Sequence, residues 1–412
     1  MTAGARRAAW AAVAVVVAVA AVVAGRALWS TIVPAGLPRP AVDVDATFGA
    51  AAVAEAESFE AFLRVLSIAG IVATVVTLGL YAWRGARFAR ESAAGPVGTG
   101  FLLGMLGLAI LWLVELPFSV VELWWLKRHD VTDVGYLEAI GMQVAALGGT
   151  FLAICLALLV AMGLARLLGA AWWLPAAAVF VGIMAGLTFA SPYLVPGQER
   201  PPRWAQREVD RLARAEGLDR TVPLRVEEVS EFTSAPNAYA TGLGSSQRVV
   251  LWDTLADGFP RDQVRVVLGH EVAHLARRHL PRSIGWFAVT IVPTAVAIAF
   301  VTRRRGGMGE AAAVPVALFA FVVCGLLATP LDNALSRRYE AEADWTALQA
   351  TRDPRAMEGL FVGFTRRGLS DPDPPGWWHV LFDSHPSGRE RVQMARAWAQ
   401  LHGGASGDTR AP

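Results

Sequence analysis

The sequence predicts an α-helical multi-span membrane protein, with about seven transmembrane helices and one small α+β domain. Three observations predict it. Of the 412 residues, 54% are hydrophobic and only 17% charged, where a soluble domain carries about 25% charge; mean hydropathy is +0.42. Seven segments each offer the roughly 20 mostly apolar residues that cross a bilayer. One internal stretch, residues 196–282, breaks the pattern with prolines, alternating charges and short β-type runs.

The spans follow in order. Ala8–Trp29 comes after Arg6 and Arg7. It exceeds a signal-peptide core of about 7–15 residues and more spans follow, so it reads as a retained anchor. Val65–Trp83, Val97–Trp125, Val144–Leu168 and Trp172–Val195 complete a membrane region over 1–195. Residues 196–282 begin with Pro196, Pro201 and Pro202, and Trp204–Gly217 then has helical spacing. Arg225–Val229 and Arg248–Trp252 read as strands, and the Gly- and Ser-rich stretch Asn237–Ser246 between them indicates a hairpin. Pro260 and Asp262 start a helix expected to run to about His279. Two further spans, Ser283–Thr302 and Ala311–Thr329, lie in 283–331. Residues 332–400 form a second water-soluble part, and 401–412 a disordered tail. Pro117, Pro293 and Pro315 are expected to kink helices from inside. The Trp124–Trp125 and Trp172–Trp173 pairs are expected at the membrane interface.

Composition also excludes functions. A net charge of +2 gives no case for nucleic acid. The two cysteines, Cys155 and Cys324, lie in apolar runs, so they form neither a disulfide framework nor a cysteine zinc site. Lys127 is the only lysine among many arginines; with the excess of Ala and Gly this points to a GC-rich bacterial source.

The chemistry centres on His270-Glu271-Val272-Ala273-His274. Histidines at i and i+4 lie about 40° apart on a helix, so both can reach one ion. Glu271 sits beside that face and can take a proton from the attacking water. A catalytic zinc takes three protein ligands. His279 lies about 140° round the helix from His274 and reads as a solvated or interfacial residue. Downstream, Ser336–Asp344 reads as a helix with Glu340 and Asp344 on one face. One carboxylate there completes a His2Glu set, and the other can orient a histidine through its second ring nitrogen. Glu342 points elsewhere and is expected in solvent. By itself this stretch is an ordinary charged helix. Two spans separate His274 from Glu340, so both return to one membrane face.

Taken together the motifs resemble the type I CAAX prenyl protease family. These are integral-membrane zinc metallopeptidases of the gluzincin kind, related to the bacterial heat-shock membrane protease. The matching runs are the His-Glu-x-x-His motif, Ser336–Asp344, Asn237–Gly242, Arg248–Leu255, His385-Pro386-Ser387 with Arg391-Val392, and Leu116–Ser119 with His129 after it. The resemblance covers residues 65 to 395, in order. It implies one Zn2+ per chain on His270, His274 and Glu340, with Glu271 as general base and Asp344 orienting a ligand histidine. It implies an edge strand at Asn237, Ala238 and Tyr239 that pairs with the substrate backbone, as extended peptides add to sheet edges. His385 and Arg391 would sit near the oxyanion. The short segment after the first span departs from the eukaryotic members, so the resemblance carries the chemistry further than a prenylated substrate. Glu115 and Glu122 either line a chamber between spans or mark the end of the third span.

The expected function is a membrane-embedded zinc endopeptidase acting on membrane-associated polypeptides, either prenyl-protease-like or in quality control of membrane proteins. Its partners would be a polypeptide substrate and the lipid bilayer, not nucleic acid. A transporter or channel would explain the spans but not the ordered motifs. An inactive metal-binding scaffold would have no use for Glu271. Arg84, Arg87, Arg90, Arg166 and Arg303–Arg305 share a side with the N-terminus, which by the positive-inside rule places the zinc domain outside. The family implies a cytoplasmic active site in the bacterial cell membrane, and Arg277, Arg278, Arg282, Arg337 and Arg338 near span ends agree with it.

Overall fold

The computed structural model describes residues 19–20, 22–91, 94–195 and 197–403. Its helices are α1 (Ala50–Arg84), α2 (Gly95–Arg128), α3 (Tyr136–Leu168), α4 (Trp173–Leu194), α5 (Arg203–Ala215), α6 (Asp253–Gly258), α7 (Arg261–Ala276), α8 (His279–Thr302), α9 (Val314–Thr351), α10 (Pro354–Gly368), α11 (Gly376–Leu381) and α12 (Gly388–Gly403). The strands are β1 (Gln198–Glu199), β2 (Leu224–Glu227), β3 (Ala238–Thr241) and β4 (Arg248–Trp252). Six stretches, built on α1 to α4, α8 and α9, are long and apolar enough to span a membrane. They coincide with six of the seven expected spans. Of Ala8–Trp29, residues 19–20 and 22–28 are helical, and residues 8–18 and 21 lie outside the described residues.

Two spans are longer than a bilayer needs. α1 has 35 residues and α9 has 38, about 52 and 57 Å at 1.5 Å per residue against a hydrocarbon core of about 30 Å. The N-terminal half of α1 carries Glu55, Glu57, Glu60 and Arg64. Buried Arg64 reaches Asp371 Oδ2 at 3.0 Å, tying α1 to the segment after α10. α9 begins as an apolar span and ends with the polar Ser336–Asp344 face. The division expected between 331 and 332 therefore falls inside one continuous helix, with Pro330 within it. Membrane helices absorb an interior proline because neighbouring groups satisfy the freed carbonyl. Pro117 and Pro293 lie inside α2 and α8. Pro315 instead occupies the first turn of α9, where no N–H is needed.

The sheet order is β1-β2-β4-β3. β2 pairs with β4 in parallel, Leu224 opposite Val249, so these two strands are not partners in a hairpin. The hairpin joins β3 to β4, with Tyr239 opposite Val250, and the Gly-rich stretch supplies both β3 and its turn. Gly242 is required there: its φ is +89°, and a Cβ would lie 2.5 Å from the Ser246 carbonyl oxygen. β3 forms one edge of the sheet. Val209 and Leu212 of α5, Leu251 of β4, Leu268 and Val272 of α7, Leu348 of α9 and Met357 of α10 bury completely in one core. That core seats α7 between the sheet and α9.

Three further expectations change. α7 stops at Ala276 because Arg278 adopts a left-handed φ of 58°, a conformation that costs a non-Gly residue energy; α8 then starts at His279. Trp172 is 4% exposed and packs in the core formed with Met162 and Ala176, so it is no interfacial anchor. Trp125 donates from Nε1 to Phe59 O at 3.1 Å. α12 extends to Gly403, into the expected tail, and residues 404–412 lie outside the described residues. α2 continues past Glu115 to Arg128, and a cavity of about 260 Å³ between α1, α2 and α9 is lined by Ser67, Thr74, Glu115 and Glu122. Thr74 donates a hydrogen bond to Glu115.

Candidate active site

α7 buries Val264, Leu268, Val272 and Leu275 on one side and turns His270 and His274 toward α9. His270 Nε2 lies 3.0 Å from His274 Nε2 and 3.2 Å from Glu340 Oε2. His274 Nε2 lies 3.4 Å from Glu340 Oε1. Two imidazole nitrogens and the two oxygens of one carboxylate thus converge, each nitrogen nearest a different oxygen, and one donor atom from each of the three residues lies within 4.8 Å of the others. Tetrahedral zinc with bonds of about 2.0–2.1 Å sets its donors about 3.3–3.4 Å apart, so this donor set fits such an ion. Its chemistry, two imidazoles and a carboxylate, is that of catalytic zinc.

The surrounding charges are also placed. Asp344 Oδ1 accepts from His270 Nδ1 at 2.8 Å. Burial lowers the His270 pKa, but the hydrogen bonds to Asp344 and Glu340 outweigh it and hold the ring up at about 10. Burial, then the neighbouring His270 charge, holds His274 well below the usual histidine value. Glu271 is 7% exposed. Burial pushes its carboxyl up to about 7, with Glu340 adding to that rise and His270 and a hydrogen bond from the Ala240 backbone opposing it. Arg391, at the start of α12, donates from Nη2 to Glu340 Oε2 at 3.1 Å and from Nη1 to Asp344 Oδ1 at 3.3 Å. Its guanidinium is therefore engaged by two carboxylates. His385 is exposed, with Nε2 3.5 Å from Glu340 Oε2.

A cavity of about 350 Å³ collects these groups. Asn237, Ala238, Glu271, Glu340, His385 and Arg391 line it, with Leu255, Val266, Phe361 and Phe364 on its apolar side. Trp252 N donates to Asn237 O at 3.0 Å. Alternation along an antiparallel pair then turns the peptide groups of Ala238 and Ala240 away from β4. Tyr239 does not line the cavity; its hydroxyl donates to Glu227 Oε2 at 2.9 Å. A second cavity of about 530 Å³ reaches His274 and Glu340 from the span side, between α4, α8 and α9.

Two expectations fail here. His279 is 3% exposed, its Nδ1 2.9 Å from His274 Nδ1. The break at Arg278 removes it from the helical spacing assumed for it. Glu342 is also 3% exposed and accepts from Arg282 Nη1 at 3.0 Å. It does point away from Glu340, but α8 covers that side. The one sequence signal for both was an Arg and a His at the entry of a span opposite a Glu on another.

Comparison with known proteins bears on this geometry. The profile of peptidase family M48 matches residues 199–399. The protease HtpX homolog of Aeropyrum pernix is 30% identical over 244 residues, 54% of this chain and 68% of that protein. The chain belongs to peptidase family M48. The uncharacterized metalloprotease YhfN of Bacillus subtilis is 32% identical to this M48 chain over 177 residues, 40% of the chain and 42% of YhfN. The match thus spans less than half of the length of YhfN. A crystal structure of S. mikatae Ste24p superposes with a TM-score of 0.64 at 17% identity, covering 92% of this chain and 96% of that one. This M48 protein has the Ste24p fold, and with six long apolar helices among the described residues it is an integral membrane protein. The M48 metalloprotease family implies a metal, typically zinc.

Proposed function

We propose that this protein is a zinc-dependent endopeptidase that cleaves membrane-associated polypeptides, with one zinc ion held by His270, His274 and Glu340. The observation that carries the reading is the convergence of two histidine nitrogens on the two oxygens of Glu340, at 3.0–3.4 Å, beside the cavity lined by Glu271 and by the start of edge strand β3. Zinc bound there supplies Lewis-acid polarisation of the scissile carbonyl and acidifies water. The chain's own residues do the rest. The outward peptide groups of β3, with Asn237 at its start, hold an extended substrate by main-chain hydrogen bonds. A Glu271 carboxylate oxygen takes the proton from the attacking water and delivers it to the leaving amine nitrogen. Arg391 fixes Glu340 and Asp344, and Asp344 fixes the His270 ring. His385, exposed at the cavity with Nε2 3.5 Å from Glu340 Oε2, is the candidate donor for the oxyanion that develops at the carbonyl.

Leu255, Val266, Phe361 and Phe364 beside the donor set favour an apolar substrate side chain there. The fold of Ste24p supports a prenyl-protease-like substrate; identity to HtpX proteases supports unfolded membrane proteins, and the bacterial composition favours the second. The family resemblance and the arginines near the span ends on the catalytic side support a site on the cytoplasmic face of the cell membrane. Protease accessibility of a C-terminal tag in intact cells tests that side. For the activity, purified protein should hold about one zinc per chain and hydrolyse casein in a phenanthroline-sensitive way. Absence of both would leave a transporter reading.

A further inference from the structure

We propose that Glu342, acting through His279, holds His274 in the orientation and tautomer that a metal requires, and that Arg282 ties this chain of contacts to the backbone at Leu28–Ser30. The inference rests on the reading of His274 as a ligand. His274 turns Nε2 toward His270 and Glu340, and its Nδ1 lies 2.9 Å from His279 Nδ1. Two ring nitrogens at that distance share one proton. If His274 Nε2 is to present a lone pair, the neutral ring keeps its proton on Nδ1 and donates it to His279 Nδ1. His279 must then carry its own proton on Nε2. That nitrogen is buried with no hydrogen-bond partner within ordinary reach, and it lies 3.5 Å from Glu342 Oε2. A carboxylate at that position selects the required tautomer, because only an N–H faces it favourably.

Each member of this chain of contacts has a further partner. The His279 ring stacks on Tyr339 with centroids 4.7 Å apart and planes 1° from parallel. Arg282 holds Glu342 through Nη1, and through Nη2 it donates to Leu28 O at 3.0 Å and to Ser30 O. Tyr339 OH donates to Leu28 O at 3.0 Å, and Arg338 Nε to Trp29 O at 2.7 Å. His274 is thus supported by α8, by α9 and by the segment that follows residues 22–28. Glu342 and His279 touch no substrate, so they are positioning residues.

The test measures zinc affinity of the full-length protein by competition with a chelator, and the visible absorption of its Co2+-substituted form. The variants are Glu342→Ala and His279→Phe, the second keeping a ring on Tyr339. Each is expected to weaken zinc about 10 to 100-fold and to shift the Co2+ bands. The double variant is expected to lose no more than the worse single one, since the residues act as one unit. Glu358→Ala, which breaks the distant Arg396–Glu358 pair, serves as control and should leave both readouts unchanged. If Glu342→Ala does not fold, Glu342→Gln keeps the volume and carries the test, with at least a several-fold loss expected. Folded variants with wild-type affinity and Co2+ spectrum, even at a lowered Tm, overturn the inference while the ligand assignment stands. Wild-type protein that takes up no zinc overturns both.

Discussion

The two histidines of the donor set are supported in different ways. His270 meets Asp344 directly, at 2.8 Å, and Arg391 locks that carboxylate from α12. These groups meet in the core around α7, where Asp344 is carried by the end of α9, the continuation of a span. His274 meets another histidine first, and only beyond it a carboxylate. Its support comes from α8 at the point where the chain enters a span, and from the backbone at Leu28–Ser30. One flank is therefore set by domain packing, and the other by how the membrane helices sit against that domain. Both flanks take a carboxylate from α9, itself the continuation of a span, and the His274 flank is tied in addition to α8 and to the backbone at Leu28–Ser30.

The largest loss comes from removing the donor common to both flanks. Glu340→Ala is expected to abolish zinc retention and hydrolysis together, as one of three protein ligands is lost. A His270→Ala, His274→Ala double variant should do the same. Metal analysis of dialysed protein checks both, and retained zinc in either would move the site elsewhere. Next in size is Glu271→Gln, which leaves both flanks and the metal in place. It should lower kcat by about 10²–10⁴-fold, the usual worth of a general base, with unchanged zinc content. Substantial hydrolysis by the pure variant would assign the base wrongly.

Asp344→Ala probes the directly supported flank. It is expected to weaken zinc about 10 to 100-fold, much less than Glu340→Ala, when both are titrated against a chelator. If Asp344→Ala were the more damaging change, the roles of the two carboxylates would exchange.

The sequence was most legible where function follows from spacing. Six spans were readable from apolar length alone, and the pairing of His270 with His274 from one-turn helical spacing; spacing put Glu340 and Asp344 on one face, and the family resemblance singled out Glu340. What escaped was non-local. Nothing in Arg277-Arg278-His279 signals a break, because an arginine rather than a glycine takes the left-handed φ. His279 was therefore projected along a helix that had already ended. Glu342 looked solvated because i and i+2 positions face opposite ways, and the sequence does not say that α8 covers the second face. The parallel pairing of β2 with β4 depends on β3 lying beyond β4, a matter of sheet order rather than of any one strand's composition. The continuity of α9 was hidden by its change from apolar to polar at about residue 332, which reads as a boundary although the helix passes through it.

The smallest expected effect separates the two flanks most cleanly. Arg282 lies three contacts from His274, through Glu342 and His279, and it joins that chain to the backbone at Leu28–Ser30. Arg282→Gln should leave Glu342 in place through burial but loosen it from Leu28 and Ser30. Zinc affinity should then fall only about 3 to 10-fold, less than the roughly 10 to 100-fold lost with a direct partner of a ligand. The loss should depend on the surroundings of the spans. In a bilayer the lipid confines the helices, and the change should be small; in detergent, where α8 and the N-terminal segment can part, it should be larger. Asp344→Ala should show no such dependence, since its partners lie in the soluble core. Chelator titration of both variants, in lipid nanodiscs and in detergent, measures the difference. Equal losses for Arg282→Gln in the two media would mean that the His274 flank is held by domain packing as firmly as the His270 flank.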